Sequence, residues 1–214
     1  MLNQPLFERV VAWIAARYGE SHLHAARGAF ERATGVIDET AGDYELRISH
    51  FLEQYVCDAA EGAIAAFSAE TPSLDVDARR ELAGWLRSHR SLFAFEHFDE
   101  EGGLVRDCIH GGAFRIWPTD HDSRLVPGDL FDCRLVPLGP LTCLSPGRVY
   151  HPRETHRALH ALLAQIEIDA LARTTLLDGL LLMRSRYLRF ESVRPEHVYQ
   201  ARALAPVRFP LREP

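Results

Sequence analysis

The sequence predicts an α+β protein in which a small antiparallel sheet lies between two groups of helices. Apolar residues are spaced as in amphipathic helices in the first and last thirds of the chain, but they alternate with a period of two from Leu92 onwards. Turn signals crowd the same middle stretch, with two Gly-Gly pairs and two Pro-Gly pairs. Short strands with glycine at their corners favour a five-stranded antiparallel β-barrel or a curved sheet over a flat one.

These patterns divide the chain into four parts that we expect to fold as one cooperative unit. The parts are a helical subdomain at 1–90, a small β-barrel at 91–150, C-terminal helices at 151–205 packed back on it, and a tail at 206–214. The tail is rich in proline, and we expect it to be extended or disordered.

Composition and charge exclude several classes of protein. Of the 214 residues, 47% are hydrophobic and 25% are charged, as in ordinary globular proteins, and the net charge of −6 disfavours binding to nucleic acids. We predict no membrane span and no secretory signal, because no long uncharged apolar stretch and no basic N-terminal region occur. The four cysteines form no CxxC pair, which argues against a zinc ribbon. We therefore expect a cytoplasmic protein with reduced thiols.

Four helices and one short apolar segment are predicted before the sheet. The helices cover 5–18, 22–35, 43–60 and 73–91, and the short segment covers 63–67. Gly19 and Gly35 are suited to end the first two helices. Asp43 is suited to cap the third, and either Ser73 or Asp75 is suited to cap the fourth.

The helical periodicity also predicts which side chains are buried. In the third helix we place Glu53 opposite the apolar face, with Glu45 and Arg47 towards its two edges. In the fourth helix four residues are expected to face the core, namely Ala78, Leu82, Trp85 and Leu86.

Five strands are predicted, of which the first three form a meander with tight turns. The alternating pattern places them at 92–98, 103–111, 113–118, 129–138 and 141–152. Leu92 and Phe93 fall on opposite faces of the first strand, because side chains alternate along a strand. Pro146 and Gly147 interrupt the fifth strand.

Helical spacing resumes after Pro152, with helices predicted at 153–168, 169–190 and 194–204. The second of these is strongly apolar, and five of its residues are expected to dock it on the body of the protein: Leu176, Leu177, Leu180, Leu181 and Met183. Asp178 is placed on the far side of that helix, and Arg173 is expected to extend outwards along its stem.

Three histidines near the start of the C-terminal part offer a possible metal site. His156 and His160 are four residues apart on a predicted helix, which puts both imidazoles on one face, and His151 lies just before them. An HExxH motif would need a glutamate directly after the first histidine, and Arg157 stands there. A solvated helix face is the interpretation that we favour, with a zinc site as the alternative.

Catalytic motifs are absent from the sequence. It contains no GxSxG elbow and neither of the glycine-rich phosphate loops GxxxxGK[ST] and GxGxxG. It also contains no lysine, so P-loop nucleotide chemistry is excluded. We therefore predict a protein that is not an enzyme.

The predicted barrel resembles PilZ domains over residues 104–138, through the segments VRDCIHGGAFRI and LVPGDLFDCRLV. PilZ domains are receptors for cyclic di-GMP. The resemblance assigns Asp107 and Gly112 to the ends of their D/N-x-S-x-x-G element, although Ile109 stands at the serine position. It also implies an upstream RxxxR arm that grips phosphate, for which the nearest match is Arg87 and Arg90, one residue short of that spacing.

A second resemblance covers most of the chain. The segment ARGAFERATGVIDETAGDYELRISHFLEQYVCD is similar to a pattern in an uncharacterised bacterial protein family, whose F-x-x-x-TG, YE-x-R and FLEWY elements it matches with Gln54 in place of tryptophan. The family implies a fold arrangement without an assigned activity. Glu45, Arg47, Glu53 and Tyr55 stand at its positions, as structural or interaction residues. The three charged residues would form either an ion network between helices or the rim of a binding surface.

The leading functional hypothesis is a non-enzymatic cytoplasmic regulatory or adaptor protein that binds another protein and needs no cofactor. The absence of catalytic motifs and the leucine-rich helix at 169–190 favour it. The alternatives are a degenerate PilZ-like receptor for cyclic di-GMP and a zinc protein or enzyme that uses the three histidines.

Overall fold

Alternating apolar residues in the middle of the chain form a curled antiparallel sheet that is flanked by N-terminal and C-terminal helices, which confirms the predicted α+β class. The computed structural model describes residues 2–119, 122, 124–166, 172–190 and 192–204. The predicted tail lies outside the described residues. Among those that are described, no helix is both long and apolar enough to cross a membrane.

Five helices precede the sheet. They are α1 (Gln4–Tyr18), α2 (Glu20–Thr34), α3 (Tyr44–Gln54) with a π-helical turn (Tyr55–Ala59), α4 (Ala63–Glu70) and α5 (Val76–Leu86). Asp75 caps α5 by accepting a hydrogen bond from the backbone N–H of Ala78 at 2.7 Å, as predicted. Leu86 was predicted to be buried but is 56% exposed, because α5 ends at this residue and the chain turns into the sheet.

Six strands form the sheet within the described residues, one more than predicted. They are β1 (His89–Asp99), β2 (Gly102–Asp107), β3 (Ala113–Ile116), β4 (Leu130–Leu138), β5 (Leu141–Leu144) and β6 (Val149–His151). The order is β3-β2-β1-β4-β5, and β6 also pairs with β4. The turn at Pro146 and Gly147 divides the predicted fifth strand in two, and both pieces pair with successive parts of β4.

The sheet curls into a half-barrel that encloses its inner face. Helices cover the outer face of the central strands. Beyond β3, the backbone N–H of Trp117 donates to the carbonyl of Thr142 in β5 at 2.7 Å, which joins the two ends of the sheet. Phe93 and Phe131 fill the inner face, while Leu92 and Leu130 pack on the C-terminal helices. This accounts for the burial of both Leu92 and Phe93, which are consecutive residues on opposite faces of the first strand.

The C-terminal part consists of α6 (His156–Gln165), α7 (Ala172–Arg189) and α8 (Pro195–Val198). The five apolar residues predicted to dock α7 are at most 1% exposed, which confirms that prediction: Leu176, Leu177, Leu180, Leu181 and Met183. Asp178 was predicted to face away from the body. Its side chain is instead only 15% exposed and contacts Arg90 of β1.

A glycine fixes how α3 sits on the sheet. His50 and Glu53 of α3 both contact Gly147 in the turn between β5 and β6. A Cβ atom at Gly147 would lie 2.5 Å from the backbone nitrogen of His50 and 2.6 Å from its Cα, so no larger side chain fits without moving the helix.

We expect Gly147→Ala to reduce the free energy of unfolding by about 1–3 kcal/mol, because the added methyl meets backbone atoms that cannot rotate away. Gly42→Ala is the matched control, since a Cβ there meets nothing within 4 Å. Urea unfolding followed by circular dichroism measures both. A Gly147→Ala protein as stable as the Gly42→Ala protein would contradict this account of the contact.

Candidate functional site

Charged side chains occupy the outer face of β1 and β4, where α3 and α7 cover it. Arg90 donates to both carboxylate oxygens of Asp132, at 3.0 and 2.8 Å, and to Asp178 of α7 at 2.8 Å. Arg134 lies directly across from Arg90 in the β1–β4 ladder and pairs with Asp58 at the end of α3. The layer therefore links two strands to two helices through ion pairs.

Next to this layer, α3 holds the β5–β6 turn by two polar side chains. Glu53 accepts hydrogen bonds from the hydroxyl of Ser145 at 2.7 Å and from the backbone N–H of Gly147 at 2.6 Å. His50 lies 2.8 Å from the carbonyl oxygen of Gly147 through Nδ1. The sequence pattern placed Glu53 opposite the apolar face of α3, but the residue is buried because these partners lie on the sheet.

The pKa values of both side chains are shifted by their burial. Burial raises the pKa of Glu53 to about 7, although its hydrogen bonds and Arg134 and Arg148 act in the opposite direction. Burial and the nearby Arg90 hold the pKa of His50 well below its usual value, so this imidazole is neutral. A neutral His50 donates from Nδ1 to the Gly147 carbonyl.

The four residues assigned by the PilZ resemblance do not form one ligand site. Arg90 is used in the buried ion pairs of the outer face, whereas Asp107 is buried on the inner face and accepts a hydrogen bond from Ser91 at 2.7 Å. Arg87 and Gly112 are exposed in separate loops. The predicted arginine arm is therefore not available as a pair, because its second member is committed to the interior.

The three predicted metal-ligating histidines serve different contacts. His151 is buried, with Nδ1 3.0 Å from the hydroxyl of Tyr199, and burial lowers its pKa to about 3. His156 approaches the backbone oxygen of His151 with Nε2 at 3.0 Å, and His160 is exposed. In the described part of the chain, no group of three or more His, Cys, Asp or Glu side chains is arranged to hold a metal ion.

A different polar cluster lies at the end of the sheet where β1 begins and β2 ends. We call it the His89 cluster, and it consists of His89, Asp107, His110 and Arg173. Nε2 of His89 is 2.9 Å from Asp107, and Nη1 of Arg173 is 3.2 Å from Nδ1 of His89 and 3.5 Å from Nε2 of His110. The cluster attaches the start of α7 to the sheet.

Arg47 belongs to the helical pattern of the second resemblance, and it too is buried rather than at an edge of the apolar face. Its Nη2 donates to the carbonyl of Gly35 at 2.7 Å and to the hydroxyl of Thr34 at 3.1 Å. Its guanidinium also lies over the ring of Phe30, 5.3 Å from the centroid. The side chain thus closes the C-terminal end of α2.

The other residues of that pattern behave differently from one another. Tyr55 is buried, and its hydroxyl lies 2.9 Å from Nδ1 of His22, which joins the π-helical turn to α2. Glu45 is exposed to solvent. Of the three charged residues, Arg47 and Glu53 therefore tie secondary-structure elements together, and Glu45 is the one on the surface.

One nitrogen of Arg47 has no partner in the part of the chain that the structure describes. Its Nη1 is buried, yet it makes no hydrogen bond to any described residue. The pKa of Arg47 is lowered to about 10, first by burial and then by the neighbouring guanidinium of Arg184, while Asp43 acts in the opposite direction. The positive charge is thus only partly compensated.

Arg47 lines a surface cleft of about 190 Å³ between the α2–α3 loop and the C-terminal half of α7. We call it the arginine cleft, and its lining residues are Val36, Asp38, Ala41, Asp43, Arg47, Arg184, Ser185, Leu188 and Arg189. Arg184 contacts Asp43 at 2.6 Å and donates to the carbonyl of Tyr150, so it is firmly held. Val36 and Leu188 are 57% and 51% exposed at this cleft.

A larger cavity of about 470 Å³ lies beside α5, and its polar groups are already paired. Asp75 caps α5, Asp77 contacts Arg80 at 2.8 Å, and Glu81 accepts two hydrogen bonds from the backbone N–H of Asn3 at 2.9 Å. Because each of these carboxylates already has a partner in the protein, this cavity is a weaker candidate than the arginine cleft.

Sequence patterns did not identify either polar site as a whole. His89 and Arg173 are 84 residues apart in the chain, and Arg47 and Arg184 come from α3 and α7. No motif spacing spans such separations.

The chain was compared with protein-family models, with curated proteins and with solved structures, and none of them matches it.

We expect Glu53→Gln to change how stability depends on pH. Because the native pKa of Glu53 is raised from 4.5 to about 7, the native state keeps a proton that the unfolded state loses, and wild-type stability falls as pH rises from 4.5 to 7. Each pKa unit corresponds to about 1.4 kcal/mol, so this loss amounts to about 3 kcal/mol. Glutamine cannot ionise. Between pH 5 and pH 8 the free energy of unfolding of the variant should therefore rise relative to that of wild type, by about 3 kcal/mol.

Glu45→Gln is the control, because this glutamate is exposed on the same helix. Urea unfolding at a series of pH values gives the free energies of all three proteins. A constant difference between Glu53→Gln and wild type across that range would show that Glu53 has an ordinary pKa in the folded protein.

Proposed function

We propose that this protein is a regulatory or adaptor protein that binds an acidic segment of a protein partner in the arginine cleft. The observation that carries the proposal is the guanidinium of Arg47, which is 3% exposed and has an Nη1 without a partner among the described residues. A buried charge that is only partly compensated is costly, and a carboxylate bound in the cleft that Arg47 lines would compensate it.

The charge of the cleft supports an anionic occupant. Three arginines and two aspartates line it, so it carries a net positive charge in a protein whose overall net charge is −6. Clusters of arginine are the usual means by which proteins recognise acidic or phosphorylated motifs, because the guanidinium fork matches a carboxylate or phosphate. Arg189 is exposed at the end of α7 and is able to meet an approaching partner.

The small volume of the cleft and the apolar residues in its lining indicate that a side chain of a protein partner is the occupant. The volume of about 190 Å³ is below the range of roughly 300–1,000 Å³ that is typical of pockets for small molecules and cofactors. Val36 and Leu188 are exposed apolar residues in the lining, and they would contact an apolar residue next to the acidic one. A carboxylate flanked by leucine-like side chains fits both features.

This proposal keeps the protein–protein hypothesis derived from the sequence but moves it to another surface. Three leucines of the α7 segment that had suggested a partner surface, Leu176, Leu177 and Leu180, are buried in the protein's own core. The cleft is lined instead by other residues of the same helix, among them Arg184, Leu188 and Arg189. We retain the expectation of a cytoplasmic location as part of the proposal.

Binding of fluorescein-labelled short peptides, measured by anisotropy, tests the proposal. A peptide with one glutamate between leucines should bind, and its glutamine counterpart should bind about tenfold or more weakly, because a hydrogen bond to a charged group contributes about 1.5–3 kcal/mol. Arg189→Gln should weaken binding of the glutamate peptide without a change in melting temperature. Arg87→Gln is the control, since Arg87 is exposed but lies outside the lining.

Equal binding of the glutamate and glutamine peptides would refute carboxylate recognition. Equal effects of Arg189→Gln and Arg87→Gln would show that the cleft is not the site. A partner recovered from native cells by affinity purification supports the proposal only if the glutamate peptide competes with it and Arg189→Gln fails to retain it.

A further inference from the structure

The His89 cluster brings two imidazole nitrogens and one guanidinium nitrogen to a common point at the end of the sheet. Nδ1 of His89 and Nε2 of His110 lie 3.2 and 3.5 Å from the same Nη1 of Arg173. The two imidazole rings are 6.2 Å apart between centroids. This arrangement is separate from the arginine cleft and involves the opposite end of α7.

The tautomer of His89 follows from its partners. Asp107 accepts hydrogen bonds from Ser91, from the backbone N–H groups of Ile109 and His110, and from Nε2 of His89. Because an ionised carboxylate only accepts, Nε2 of His89 carries the hydrogen, and Nδ1 of the neutral ring presents a lone pair. That lone pair accepts from Arg173.

A second lone pair is aimed at the same point. Arg173 is a donor without acceptor capacity, so Nε2 of His110 also faces it with a lone pair when the ring is neutral. Two imidazole lone pairs therefore converge on a position that is occupied by a positively charged group. A carboxylate stands behind the first imidazole, as in the carboxylate–histidine pairs that orient metal-binding histidines.

We propose that His89 and His110 form a binding site for a divalent transition-metal ion such as Zn²⁺, in which Arg173 occupies the metal position in the metal-free protein. Imidazole is a preferred ligand of Zn²⁺, Ni²⁺ and Cu²⁺, and water molecules would complete the coordination. The rings would have to close from their present distances to about 2.1 Å from the ion. His110 is exposed and precedes Gly111 and Gly112, so its turn is able to adjust.

Cys108 is not expected to join this site. Its Sγ donates to the carbonyl of Arg106 at 3.8 Å and makes no contact with His89, His110 or Arg173 among the hydrogen bonds described above. Asp107 is likewise an orienting group and not a direct ligand, since its oxygens are taken by the contacts described above. The site would therefore use two protein ligands.

In this proposal Arg173 inhibits metal binding, whereas a residue that supports a metal site strengthens it. The ion and the guanidinium compete for the same lone pairs, so removal of Arg173 should strengthen metal binding. Metal binding to the wild-type protein should in turn release Arg173 from the sheet.

Equilibrium dialysis of the untagged full-length protein against Zn²⁺, with metal measured by mass spectrometry, tests the proposal. Wild type should bind one ion, and His110→Ala should lose that binding, while Arg173→Gln should bind several-fold more tightly than wild type. Asp107→Asn should bind about 10–100-fold more weakly, as expected when the group orienting a ligand is changed. His160→Ala is the control, since it is an exposed histidine outside the cluster.

Three results would overturn the proposal. The first is that wild type fails to bind Zn²⁺ stoichiometrically, and the second is that Arg173→Gln binds Zn²⁺ no more tightly than wild type. The third is that binding is lost in His160→Ala rather than in His110→Ala. His110 lies on the surface, and circular dichroism of its variant shows whether the fold is kept. The peptide assay for the arginine cleft uses none of these residues, so failure of one proposal is distinguishable from failure of the other.

Discussion

The bidentate ion pair between Arg90 and Asp132, extended to Asp178, is the interaction on which the arrangement of the helices depends. It joins β1, β4 and α7 at a place that is largely shielded from water. Arg134 is directly opposite Arg90 in the ladder, and like charges opposite each other destabilise a sheet. The arrangement is therefore stable only if each arginine has its own acid. Loss of one partner from such a buried pair typically costs about 3–5 kcal/mol.

This polar layer explains why the interior is divided into separate apolar clusters. One cluster lies among the N-terminal helices, one fills the half-barrel and one lies beneath α6 and α7. Apolar packing alone permits a helix to slide or rotate on a sheet, whereas hydrogen bonds have fixed directions. His50 and Glu53 locate α3 at one backbone group of Gly147, and Asp178 locates α7 on Arg90. Polar contacts thus set the positions of α3 and α7 on the sheet, and the burial of apolar surface supplies most of the favourable free energy of folding.

The class of fold and the approximate position of each element were predictable, because apolar periodicity reports local structure. The burial of charged residues was not. Periodicity placed Glu53 and Asp178 opposite the apolar faces and Arg47 at an edge of one, since a charged residue is usually exposed. Their partners are distant in sequence: Gly147 lies 94 residues from Glu53, and Arg90 lies 88 residues from Asp178. A single sequence contains no local signal for such pairs. The same reason explains why neither the arginine cleft nor the His89 cluster was predicted.

The two proposed sites lie at opposite ends of α7, with the ion pair to Arg90 between them. Arg173 is in the first turn of the helix and Arg189 is its last residue, so a rise of about 1.5 Å per residue separates them by about 24 Å. At that distance, charges at the surface are largely screened from one another. Any coupling between metal at the His89 cluster and a partner at the arginine cleft must therefore be mechanical. A shift of α7 would strain the Arg90–Asp178 contact, and that contact is short and only slightly exposed. The ion pair consequently makes the two sites independent, unless binding at one of them is strong enough to break it.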